Sequence, residues 1–219
     1  MDTSGEGTAN IILYLVILVL FSQVAVRLLR ASALPRRFPV VALGAVIVIG
    51  VPSLLQFAFP AITTALARDP QATLQHGQWW RVLTAMMAQD GGLAGAIFNL
   101  VVVAAVTFLG ERIWGRWRTV VLFLLPSVVL NLLAVYVWHA SGGGSSFASD
   151  GLLMSMCGLA LLTLRNAIAL VCAVATVLIG VALVVFLNDA HGVAVLLGAA
   201  LGTVFALPRL VGTRAKTTN

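Results

Sequence analysis

Apolar residues run along this chain in seven blocks separated by polar connections. The blocks are approximately Ile11–Leu29, Val40–Phe59, Leu93–Leu109, Val120–Trp138, Leu152–Leu164, Ala167–Leu187 and Val193–Leu207. Most approach the roughly 20 residues that a helix needs to cross the hydrocarbon of a bilayer. The pattern therefore predicts an all-α protein with seven transmembrane helices. The fifth block is short, but Gly151 and its neighbours extend it, and only Arg165 and Asn166 part it from the sixth. The connection from Ala61 to Gly92 is long and carries Pro70, His76, Gly77, Gln78 and a moderately apolar run, Trp80 to Met87. It predicts an outer loop with short helices, partly sunk in the membrane, where protein or water must satisfy its irregular backbone.

Composition fixes the class. The chain is 61% hydrophobic and 9% charged, which no soluble domain of this length matches, so it is read as a polytopic membrane protein. One helical domain fits 219 residues. The net charge of +6 reads as topology, because the basic residues sit in short loops, and no nucleic-acid partner is expected. Arg27 lies in the last turn of the first block and Arg30, Arg36 and Arg37 follow it; Arg112, Arg116 and Arg118 follow the third, Arg165 the fifth, and Arg209, Arg214 and Lys216 the last. Alternation puts all of these on one side and only Arg68 and Arg81 on the other. Asp2, Glu6, Asp69, Asp90, Asp150 and Asp189 join that second side, leaving Glu111 among the arginines. By the positive-inside rule the N-terminus is outside and the C-terminus cytoplasmic. Met1–Ala9 has no basic region, so the first block reads as a retained span rather than a cleaved signal. Trp79, Trp80 and Trp138 are expected at the outer membrane boundary and Trp114 and Trp117 at the inner one. Cys157 and Cys172 read as small buried hydrophobes rather than a disulfide or a metal site.

Candidate chemistry gathers between Gly142 and Gly158 and at His191. A small-residue loop, Gly142 to Ser146, leads into an apolar helix with Ser149 and Asp150 at its start. Hydroxyl, carboxylate and imidazole are costly in a membrane and mark functional candidates. Ala194, Gly198 and Gly202 in the last block, with Gly151, Ser155 and Gly158 in the fifth, predict close packing of these two helices. That packing would bring the Ser149–Asp150 end near His191. Ser149 also fits a helix N-cap, and Asp150 the positive end of the helix dipole. Ser145 and Ser146 are lesser candidates that read first as flexible-loop residues, and His76 and His139 read as solvated ones.

These residues resemble the rhomboid family of intramembrane serine proteases. Gly77-Gln78-Trp79-Trp80-Arg81, Thr84 and Phe98-Asn99 look like its outer loop and second core span. Glu111 with Gly115 resembles the motif that follows, and His191 with Ala194, Gly198 and Gly202 its last core helix. The resemblance covers about Val40 to Leu207. It implies a six-helix core, residues 38–210, preceded by an extra transmembrane helix and basic loop, residues 1–37, and followed by a basic cytoplasmic tail, residues 211–219. It implies a serine–histidine dyad acting on transmembrane protein substrates within the bilayer, with no cofactor and no metal. Asn99 would supply an oxyanion donor, and Arg81, Glu111, Gly115, Gly151, Gly158, Gly198 and Gly202 would hold the structure. The expected location is a bacterial plasma membrane.

Two departures matter. The family writes its nucleophile as Gly-x-Ser-Gly with a further glycine eight residues on. With Ser149 as nucleophile the flanking glycines become Phe147 and Asp150. With the glycines aligned on Gly151 and Gly158, the nucleophile position holds Asp150. At about 100° per residue, Asp150 lies about 80° from Gly158 round the helix and Ser149 nearly opposite. The family's histidine four residues before the asparagine is here Gly95. The expectation is thus a degenerate site that binds transmembrane clients. The alternative is an active serine-type intramembrane endopeptidase using Ser149 and His191. A third reading, a transporter relaying protons through Asp150 and His191, belongs to another class.

Overall fold

The computed structural model describes residues 1–217 except 5, 6, 33 and 36, and for 209–217 the backbone alone. Glu6, Arg36 and the side chains of Arg209, Arg214 and Lys216, used above for topology, lie outside the described residues. The helices are α1 (Thr8–Ala31), α2 (Val40–Leu55), α3 (Ala61–Leu66), α4 (Pro70–His76), α5 (Arg81–Thr84) with a 3-10 turn at Ala85–Met87, α6 (Gly92–Ile113), α7 (Arg116–Tyr136), α8 (Ser146–Thr163), α9 (Ala167–Leu187) and α10 (Ala190–Thr217). Among the described residues there is no strand, only two isolated backbone bridges. Among the described residues six helices are long and apolar enough to cross a membrane: α1, α6, α7, α8, α9 and the Ala190–Pro208 part of α10.

Three boundaries differ from the apolar pattern. The second block forms a helix of only 16 residues, ending in a turn at Gln56–Ala58. The last helix runs on through Pro208 to Thr217 instead of ending near Leu207. The helix of the fifth block begins at Ser146, one turn before the expected start at Ser149 and Asp150, because the glycines before it decide where helical backbone starts.

Connecting segments gather at two ends of the bundle. At one end, Ser32 Oγ donates to the Arg112 carbonyl (2.6 Å) and Arg116 Nη2 to that of Phe38 (3.1 Å). Glu111 accepts from the Ala42 N–H (3.0 Å) and pairs with Arg116 (3.5 Å). Gly115 makes the turn between α6 and α7 at φ 82°, where a side chain would be strained. At the other end lie the N-terminus, α3 to α5, the loop before α8 and the α9–α10 turn. Arg81 is buried there and donates to Gln78 Oε1 (2.6 Å) and to the carbonyls of Thr64 (2.8 Å) and Ala67 (2.7 Å). Its charge-assisted bonds tie the short helices together. Of the two tryptophans expected at the inner boundary, Trp114 is 2% exposed and its indole N–H donates to Ser155 Oγ (3.0 Å), while Trp117 is 75% exposed. Cys157 and Cys172 are free and buried.

α8 is the central helix, touched by α1, α6, α7, α9 and α10. From Phe147 to Ala160 every residue but Asp150 is buried. Its closest partner is α10. A methyl group placed on Gly198 would meet the Gly151 backbone, one on Gly202 the Ser155 backbone, and one on Gly158 the Ala199 carbonyl. Lipid supplies no hydrophobic drive between helices, so this backbone-to-backbone fit carries the association. Gly198→Leu should therefore lower stability in detergent by about 1–3 kcal/mol or prevent folding. Gly44→Ala, where nothing lies within 4 Å of the new carbon, serves as the control and should melt like the wild type. A wild-type melting temperature for Gly198→Leu would contradict the seam.

Candidate active site

The site is built where α8 begins. Gly142 adopts φ 126°, which suits glycine. Its N–H and carbonyl pair with the Arg68 backbone (3.0 and 2.8 Å). The Gly143 N–H donates to Asp90 Oδ2 (2.6 Å) and the Gly144 N–H to the Ala85 carbonyl (3.0 Å). A side chain at Gly143 would strike the carbonyls of Ala85 and Ala88. The loop is therefore pinned rather than free, and Ser145 at its end is fully buried.

This pinning decides which serine faces the imidazole. Ser146, the first residue of α8, places Oγ 2.8 Å from His191 Nε2. Ser149 lies three residues further along. Its Oγ is buried and has no hydrogen-bond partner, and its N–H is spent on the Ser145 carbonyl (3.0 Å). Ser149 is thus inside the helix and not its N-cap. Asp150 borders the same cavity as Ser146, Ser149 and His191. So the structure brings together His191, Ser146, Ser149 and Asp150, and Ser146 makes the bond.

Asp189 is the second partner of His191. Its Oδ1 accepts from the His191 backbone N–H (2.9 Å), capping α10, and faces His191 Nδ1 at 2.8 Å. One carboxylate oxygen thereby starts the helix and orients the ring. Asp189 is fully buried, and its Oδ2 is bonded by Asn10 Nδ2 and Tyr14 OH. Burial alone would raise its pKa. The bonds from His191 and Tyr14, with the imidazole's charge, outweigh burial and hold it below the usual carboxylate value. The rings of Tyr14 and Phe147 lie 5.2 and 5.0 Å from that of His191.

Asn99 borders the cavity, with Nδ2 donating to Gln89 Oε1 (2.8 Å). Gln89 is buried, and its amide also reaches Ser53 Oγ (3.2 Å) and the Met86 carbonyl (3.2 Å), so Asn99 is held by a network anchored on α2. Gly95 lines the same wall, with open space where a side chain would point. The cavity measures about 470 Å³ and continues between α1 and α6 past Leu15, Phe98 and Val102. It joins a polar end bearing Ser146 and His191 to an apolar flank.

Sequence reasoning passed over Arg68. Its guanidinium is buried and donates to Asn131 Oδ1 (2.6 Å), the carbonyls of Ala140 (2.7 Å) and Ser141 (3.2 Å) and Thr3 Oγ1 (3.3 Å). Burial lowers its pKa to about 10, with Asp90 pulling the other way, so it stays charged at neutral pH. It clamps the loop that presents Ser146. Asp189 carried a signal that was legible, an acid two residues before a histidine at a helix start. Arg68, Asn10 and Tyr14 carried none, because their partners are remote in sequence. His76 and His139 are exposed. Among the described residues no group of three His, Cys, Asp or Glu side chains is arranged to hold a metal.

Comparison with protein-family models, with curated proteins and with solved structures finds no match to this chain.

Proposed function

We propose that this protein is a rhomboid-like intramembrane serine hydrolase in which Ser146, not Ser149 or Asp150, is the nucleophile. The observation that carries the reading is the chain from Ser146 Oγ to His191 Nε2 and, across the ring, from His191 Nδ1 to Asp189 Oδ1, both contacts at 2.8 Å. An ionised Asp189 can only accept, so the ring proton sits on Nδ1 and leaves the Nε2 lone pair toward Ser146. A serine hydroxyl is a weak nucleophile until such a base takes its proton.

The chemistry follows from the geometry. Ser146 Oγ adds to a substrate carbonyl as its proton passes to His191 Nε2. The tetrahedral oxyanion draws on the free N–H groups of the first turn of α8 and on the Asn99 amide. His191 then gives the proton to the leaving amine as the carbon–nitrogen bond breaks. Water, again deprotonated by His191, hydrolyses the ester on Ser146 and restores the hydroxyl. Asp189 stays ionised throughout and stabilises the imidazolium. The resemblance supplies the substrate class, transmembrane proteins cut near the outer membrane face. The apolar flank of the cavity along α1 and α6 suits a bilayer-embedded substrate.

The test is covalent labelling of the full chain in lipid nanodiscs with a fluorophosphonate. The wild type should label. Ser146→Ala and His191→Ala should abolish labelling, and Ser149→Ala should retain it. A wild type that does not label would favour the other reading, a degenerate site that holds transmembrane clients, which the absence of a histidine at Gly95 supports. Loss of labelling in Ser149→Ala with retention in Ser146→Ala would return the role to Ser149.

The orientation belongs to the same reading. The arginine-rich end faces the cytoplasm, so the site opens to the other side of a bacterial plasma membrane. A bilayer-impermeant thiol reagent should reach Thr3→Cys in the Cys157→Ala, Cys172→Ala background from outside intact cells. Labelling only after the cells are opened would reverse the orientation.

A further inference from the structure

We infer that α1, which lies outside the six-helix core of the proposed rhomboid-like fold, is a working part of the site. Asn10 and Tyr14 act as positioning residues that hold Asp189, and through it the His191 ring, against Ser146. The inference rests on the serine-hydrolase reading above and adds to it the role of the N-terminal helix.

Four observations converge. First, the two oxygens of Asp189 are divided between helices: Oδ1 serves α10 through the His191 N–H and Nδ1, and Oδ2 receives Asn10 and Tyr14 from α1. With the acid fully buried, removing the donors of Oδ2 would leave that oxygen without a partner where no solvent replaces them. Second, Asn10 and Tyr14 stand four residues apart and so share one face of α1. Two polar groups on one face at the apolar outer half of α1 carry a cost that only a specific partner offsets. Third, the segment before α1 is stitched to the α9–α10 turn. The Asp2 N–H donates to the Asn188 carbonyl and the Ala190 N–H to the Asp2 carbonyl, both at 2.8 Å. Fourth, Tyr14 also lies against the His191 ring and lines the cavity, whereas Asn10 stands behind Asp189, away from the cavity lining.

This division separates holding the acid from holding the substrate. A substitution at Asn10 changes the support of Asp189 without altering the cavity wall. Tyr14→Phe keeps the ring beside His191 and removes only the hydroxyl.

The experiment measures fluorophosphonate labelling of the full chain in nanodiscs against probe concentration. Asn10→Ala should lower the maximal labelling rate, by up to about 100-fold if the ring is displaced by an ångström. The probe concentration giving half that rate should stay unchanged. Tyr14→Phe should also slow the maximal rate. The double variant should be no slower than Asp189→Asn alone, because both residues act through that acid. Asn10→Ala and Tyr14→Phe labelling at the wild-type rate would overturn the role of α1 and leave the hydrolase reading standing. So would a double variant slower than Asp189→Asn, or a weakened half-saturation in Asn10→Ala, since either means the helix supports the fold generally. A wild type that never labels would instead sink the hydrolase reading, and this inference with it.

Discussion

Everything at the site depends on two helix backbones touching. α8 and α10 meet without intervening side chains at Gly151 with Gly198 and at Ser155 with Gly202. In lipid that closeness must come from shape, because apolar side chains gain nothing by leaving the hydrocarbon for each other. The consequence is positional. Once the two axes are this close, the first turn of α8 and the first turn of α10 lie side by side, and Ser146 comes within hydrogen-bond reach of His191.

Bringing polar groups to a junction buried within the protein raises a second problem, which the fold solves by sharing each group between elements. Asp189 is shared between α10 and α1. Arg68 is shared among the N-terminal segment, α7 and the loop before α8. Gln89 joins α2, the 3-10 turn and Asn99. Each network crosses elements distant in the chain, so each also locks the arrangement of helices that completes it. Ser149 Oγ is the exception, buried and unpartnered within the site. An unpaired hydroxyl there is a weaker candidate than one already aimed at the base.

Much of the architecture was legible before any coordinates. Apolar blocks marked the long helices, and glycines at four-residue spacing marked the seam, because close packing leaves a compositional trace. The serine that faces the imidazole was harder to read. Periodicity separates Ser149 from Asp150, about 100° apart round the helix, but it weighs only those two once Ser146 is read as part of the loop. The choice turned on where α8 starts. Hydropathy put the apolar run at Leu152, but backbone geometry at Gly142 to Gly144 starts the helix at Ser146. The bond from the Trp114 indole to Ser155 was not readable either, since it depends on the Gly115 turn that aims the ring at α8. Asn10 and Tyr14 were unreadable, since their one partner lies at the far end of the chain.

The central claim is that the reactive hydroxyl belongs to Ser146. The most direct measurement is to modify the wild-type protein with a phosphonylating inhibitor and map the adduct by peptide mass spectrometry with fragmentation that resolves 145, 146 and 149. The account predicts a single added phosphonyl group on Ser146. An adduct on Ser149 or Ser145, or none on the peptide that contains them, would contradict it.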